Sequence, residues 1–171
     1  MQEYVLERKL VLTKVALFTA YVAIALAAPL INNQLITGSI VNATLFLAVA
    51  TLGFREAIFI GLIPSLISLS IGLLPVVLAP MIPFIMMGNA VLMLVFSVTR
   101  KKLGAFSYIA SALFKFAVIY GASFIVAGLI KNPVVAQKTG LMMGYMQLVT
   151  ALIGAAIAMA VLNFKAITKT K

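Results

Sequence analysis

The chain is 171 residues long, 64% hydrophobic and only 9% charged, with 13 basic and 3 acidic residues and a net charge of +10. Cysteine and histidine are both absent, which excludes disulfides, thiol chemistry, histidine catalysis and Cys/His metal sites. The only acids are Glu3, Glu7 and Glu56, so neither a carboxylate pair nor an acidic metal site can be built inside the apolar runs.

Several of those runs reach the roughly 18 to 20 residues that cross a bilayer. The expected fold is all-α: a six-transmembrane-helix bundle forming one integral membrane domain over residues 1–171. In a soluble chain the basic excess would suggest nucleic acid; here its placement gives a better account, and no nucleic-acid partner is expected.

In chain order, residues 1–14 read as a short amphipathic lead-in and the first span as about 12–31. Basic residues, an apolar run and Ala25-Leu26-Ala27 carry the features of a secretion signal with its cleavage site. The alternative, preferred here, is an uncleaved first span. Asn32-Asn33-Gln34 and Thr37-Gly38-Ser39 form a polar break, and the second span covers about 40–53 or starts earlier. Arg55-Glu56 is a charged turn, and the third span runs from about 57 to 73 with Pro64 as a kink.

Next comes LLPVVLAPMIPFIMMGN, residues 73–89, almost wholly apolar yet carrying Pro75, Pro80 and Pro83. Proline removes a backbone donor and clashes with the preceding turn, so a straight helix through all three is not expected. Non-helical backbone at that depth is tolerated where protein covers it or where it lines a wet cavity, and such breaks point to binding sites in transporters. The plainer alternative is a helix end, a short apolar loop and Pro83 in the first turn of the next helix. The fourth span covers about 83–98, Arg100-Lys101-Lys102 a turn, the fifth span about 105–130, residues 131–139 a loop, and the sixth span about 140–164 before a basic tail.

Lys and Arg collect on the cytoplasmic side of short loops. With the N-terminus inside, Arg8, Lys9, Lys14, Arg55, Arg100, Lys101, Lys102, Lys165, Lys169 and Lys171 are cytoplasmic and only Lys131 and Lys138 lie outside. Both termini are then cytoplasmic, and the segments at 32–39, 74–82 and 131–139 face outward.

The remaining cation, Lys115, falls within the fifth span. A lysine there costs about 2.5–3.5 kcal/mol on insertion scales. With no acid at that depth it must snorkel, be neutral, or meet a partner outside the chain. Ser107, Ser111, Lys115 and Ser123 share one helix face. One reading has Lys115 contacting a carboxylate or phosphate of a substrate; the others are a structural lysine or a contact with a partner protein. Asn42, Asn89 and Gln147 are amides at span depth, each expected to face the interior because an unpaired amide in hydrocarbon is costly. Together with Lys115 and Tyr120 they would make an outward-opening pocket; interhelical hydrogen bonding is the alternative. Met81, Met86, Met87, Met93, Met142, Met143 and Met146 gather near the same region as core filling or as a flexible wall. On the first span Ala16, Ala20, Ala23 and Ala27 form a small-residue stripe, suited to close approach of a helix from this chain or from another protein. The chain contains no G-x-x-x-x-G-K-[ST] phosphate loop, no intramembrane acid for a proton relay and no serine–histidine pair. A pocket with no evident energy source suggests a subunit.

With six spans, both ends inside, and Ala16-Leu17-Phe18-Thr19-Ala20 extended by Ala23 and Ala27, the chain resembles the substrate-binding S components of the energy-coupling-factor (ECF) transporters. The runs NNQLITGSIVNATLF and GLIPSLISLSIGLLP have the look of the same family. The resemblance implies that the alanine stripe docks onto a transmembrane coupling subunit, completed by two cytoplasmic ATPases. It also implies a substrate pocket made by the outer loops with the fourth to sixth helices, mapping onto Asn32, Asn33, Gln34, the proline stretch, Asn89, Lys115 and Gln147. Members bind water-soluble vitamins or related micronutrients, and transport is thought to involve toppling in the membrane. No signature for biotin, riboflavin, thiamine or cobalamin is present. The expectation is a non-enzymatic subunit of a prokaryotic plasma-membrane importer, with no cofactor or metal and a mild bias to an anionic substrate. A self-sufficient facilitator or channel and a ligand-free membrane scaffold are the alternatives.

Overall fold

A computed structural model describes residues 1–74, 76–130 and 133–169. Among them are seven α-helices: α1 Gln2–Ala27, α2 Gln34–Thr51, α3 Phe54–Ser70, α4 Ile82–Leu103, α5 Phe106–Ile130, α6 Pro133–Met143 and α7 Tyr145–Lys169. Two 3-10 turns, Ala28–Ile31 and Val76–Met81, complete the secondary structure, and no strand occurs among the described residues. Pro75, Lys131, Asn132 and Lys171 lie outside the described residues, and of Lys138, Lys165 and Lys169 only the backbone is described.

Five segments are long and apolar enough to cross a bilayer: Tyr4–Ile31, Gln34–Thr51, Leu78–Leu103, Phe106–Leu129 and Gly140–Phe164. They mark a multi-pass membrane protein. The third expected span is α3, whose 17 residues rise only about 25 Å against a hydrocarbon thickness near 30 Å. Large apolar side chains such as Phe59, Phe114, Phe124 and Leu129 are exposed, a surface that suits lipid.

Local chemistry explains the boundaries that differ from the sequence expectation. The charged lead-in is helical from Gln2 because Glu, Arg, Lys and Leu are good helix formers. Asn33 caps α2, its Oδ1 accepting from Ile36 N at 3.1 Å, so α2 begins at Gln34 rather than near residue 40. Arg100-Lys101-Lys102 form the last turn of α4, where cations meet the helix dipole, and not a separate turn. Residues 133–143, expected as loop and the start of the last span, form α6, opened by Pro133 at a position where a missing N–H costs nothing. The proline stretch follows the plainer alternative: α3 ends at Ser70, a 3-10 turn spans Val76–Met81, and Pro83 sits in the first turn of α4.

Two apolar clusters fill the bundle. One surrounds the rings of Phe46, Phe96 and Tyr108, whose centroids lie 4.5–5.0 Å apart. The other gathers Leu74, Leu78, Met81, Ile82, Ile119, Val126 and Met143. Along α4, Asn89 falls between Leu92 of the first cluster and Ile82 of the second; along α5, Lys115 falls between Ala112 and Ile119. A polar layer therefore separates the clusters.

Candidate functional site

Lys115 is the tenth residue of the 25-residue α5, and its side chain is only 3% exposed. It does not snorkel. Its Nζ donates to Asn42 Oδ1 at 2.6 Å and to Asn89 Oδ1 at 2.7 Å. Each amide is oriented from behind. Asn89 Nδ2 donates to Gly61 O at 2.9 Å, and Asn42 Nδ2 to Thr150 Oγ1 at 3.4 Å. With the nitrogens committed, both oxygens turn to the ammonium. Five helices thus converge on one cation: α2, α3, α4, α5 and α7.

Pro64 contributes from α3. It cannot bond Ile60 O, which loosens the helix one residue before the Gly61 carbonyl that Asn89 reaches. Hydrogen bonds to a charged group are worth about 1.5–3 kcal/mol each, so two of them match the cost of holding a lysine at this depth. An ammonium has three donors. Two are used, and the third finds no acceptor among the described residues.

A cavity of about 90 Å³ opens beside Lys115. Asn42, Asn89, Ser65 and Gln147 line it, with Leu73, Leu74, Ile85 and Met143 as apolar wall. Ser68 and Thr37 also line it, but their hydroxyls are spent on Pro64 O at 2.8 Å and Ala28 O at 2.9 Å. Ser65 Oγ differs: the residue is 5% exposed and the atom has no partner. At the rim, Gln34 Nε2 and Gln147 Nε2 both donate to Met142 O, at 2.8 and 3.2 Å. The break between α6 and α7 leaves the last carbonyls of α6 without helical partners, and these two amides take up one of them. The cavity is thereby latched between α2, α6 and α7. Among its described lining residues there is no carboxylate and no second cation.

The structure brings Gln34, Asn42, Asn89, Lys115 and Gln147 to this one cavity. Three expected residues are not brought there. Asn32 is exposed and in the left-handed region, ending the first 3-10 turn, and Asn33 is exposed and spends its side chain on the α2 cap. Tyr120 is five residues beyond Lys115, about 140° around the helix. It is 41% exposed, stacks on Phe116 and meets Phe124 edge to face. Ser107, Ser111 and Ser123 do share the buried face of Lys115, but each bonds a carbonyl of its own helix or turn. Ser65 and Thr150 were not singled out in the sequence; the signal for Ser65 was a hydroxyl beside Pro64 in an apolar run.

The small-residue stripe of α1 points away from the bundle. Ala16, Ala20, Ala23 and Ala27 are all exposed, while Leu17, Phe18, Tyr21, Val22 and Ala25 pack inward. Intramolecular close packing is therefore not its use. Small residues on α7 are used internally instead: Ala151, Gly154 and Ala158 are buried.

Compared with known protein families, curated proteins and solved structures, the chain matches none.

Proposed function

We propose that this chain is the solute-capturing subunit of an ECF-type importer in a prokaryotic plasma membrane. It takes a small water-soluble micronutrient into the Lys115 cavity and passes it on through a transmembrane coupling subunit driven by two cytoplasmic ATPases. In this reading α3 is the sixth span, the basic end of the bundle faces the cytoplasm with both termini, and the cavity opens outward. The subunit performs no covalent chemistry.

The observation that carries the reading is the buried ammonium, held by two oriented amides with one donor left over, beside a cavity. A purely structural lysine gains nothing from adjoining empty space. The outward alanine stripe on α1 supports the partner: small side chains let a second protein's helix approach closely. The volume adds a constraint. Pockets for drug-sized ligands run to about 300–1,000 Å³. At about 90 Å³ the cavity holds a head group, so a larger solute enters only when the Gln34 and Gln147 bonds to Met142 O release.

Uptake by a heterologous host tests the reading. Labelled micronutrients should accumulate only when the chain is expressed with a coupling subunit and ATPases. Accumulation with the chain alone would favour a facilitator, and no tight small-molecule ligand under any condition would favour a scaffold.

A further inference from the structure

The preceding reading leaves the chemical class of the solute open between carboxylate and phosphate, and between charged and neutral. We propose that the cavity takes a single carboxylate, a small monoanion whose two oxygens accept from Lys115 Nζ and Ser65 Oγ. The inference rests on the cavity being a solute site and deepens that reading.

Charge decides first. The described lining residues hold one lysine, which carries a single positive charge when protonated, and neither a second cation nor a carboxylate. One negative charge balances it. A phosphate monoester carries about −1.5 to −2 near neutral pH and would leave charge uncompensated in a bundle interior, where that is expensive. A neutral solute would leave the ammonium as it was.

Donor count decides next. Among the lining side chains, protonated Lys115 has a third N–H unspent, and the Ser65 hydroxyl is buried and bonds nothing at all. A buried polar atom left unsatisfied costs about 1–3 kcal/mol, so Ser65 gains from an acceptor entering the cavity. A carboxylate offers one oxygen to each donor. Val41, Leu74, Ile85 and Met143 give the cavity an apolar wall for the rest of the solute.

Size narrows the class. A cavity of about 150 Å³ takes benzene. This one, at about 90 Å³, suits a carboxylate with a short hydrocarbon tail.

Three probes with matched tails test the inference on the full chain in lipid nanodiscs: propionate, propionamide and ethyl phosphate, titrated by calorimetry and followed by thermal shift. Propionate should bind at least about 100-fold more tightly than either of the others, since loss of the charge-assisted bonds is worth that much. Ser65→Ala removes a buried atom that bonds nothing, so the variant should melt no lower than the wild type while binding propionate about tenfold more weakly. Lys115→Met should abolish binding. Propionamide equal to propionate, ethyl phosphate tighter than propionate, or no saturable propionate binding each overturns the inference. Module-dependent uptake competed only by a neutral or doubly charged solute keeps the importer reading and sinks the carboxylate. Propionate binding without module-dependent uptake does the reverse.

Discussion

The chemistry of the polar layer is decided by which atoms are already committed. Asn42 offers a direct manipulation. Its Nδ2 donates only a long bond, 3.4 Å, to Thr150 Oγ1, and a hydroxyl can turn to donate instead. Asn42→Asp therefore places a carboxylate against Lys115, and Thr150 Oγ1 meets it only by giving up its 3.2 Å bond to Gln147 O. The variant should retain wild-type helicity by circular dichroism and lose solute binding by calorimetry, because the ammonium is neutralised from within. Retained binding would show that the charge of Lys115 is not what the solute meets. At this scale the sequence was legible for the amides and the lysine, since polar groups at membrane depth stand out against apolar runs. It was not legible for Ser65. Hydroxyls in helices commonly bond the carbonyl four residues back, as Ser39, Thr44, Thr51, Ser68 and Thr99 do here. Only coordinates reveal that Ser65 Oγ bonds nothing. Tyr120 was misassigned because depth was read and angular position around the helix was not.

Between helices, glycine sets how closely the site can be built. A Cβ on Gly154 of α7 would lie 2.7 Å from Ala43 N and 2.9 Å from Ser39 O, backbone atoms of α2 that cannot rotate away. Gly154→Ala should force α2 and α7 apart at the level of Asn42 and cost about 1–3 kcal/mol, read as a lower melting temperature in detergent. The control is Gly61→Ala, whose added methyl would meet chiefly the end of the flexible Met93 side chain at 2.5 Å and should cost less than Gly154→Ala. The latch gives a kinetic prediction. Gln34→Ala removes one bond to Met142 O, worth about 1 kcal/mol, and should raise the solute dissociation rate several-fold in a filter-binding chase. The long apolar elements were legible from length and composition. The short α6 was not, because Pro133 and the polar Gln137-Lys138-Thr139 read as loop unless Pro133 is taken as a helix-opening residue.

For the molecule as a whole, two surfaces carry the reading. Ala20 lies on the exposed face of α1, so Ala20→Trp should leave melting temperature and solute affinity unchanged. It should abolish uptake with the coupling module, measured as accumulation in cells. Unchanged uptake would remove the docking role of that stripe. Orientation is open to a simple labelling test because the chain has no cysteine of its own. Leu35→Cys and Lys102→Cys, both at exposed positions, should react with a membrane-impermeant maleimide in intact cells and only after lysis, respectively. The reverse pattern would invert the bundle and put the cavity on the cytoplasmic side. The basic clustering that suggested this orientation was visible in composition alone; the outward facing of the alanine stripe was not, since its spacing is equally compatible with either side of α1.

In the importer reading, one protonated lysine deep inside a membrane bundle would also couple the subunit to voltage. Moving an elementary charge through the full transmembrane field is worth about 2.3 kcal/mol per 100 mV. A vacant subunit that reorients carries the charge of Lys115 through part of that field, whereas one holding a monoanion carries none. Energised cells would therefore drive the vacant and loaded forms differently, and an ionophore that collapses the potential would act on the return step alone.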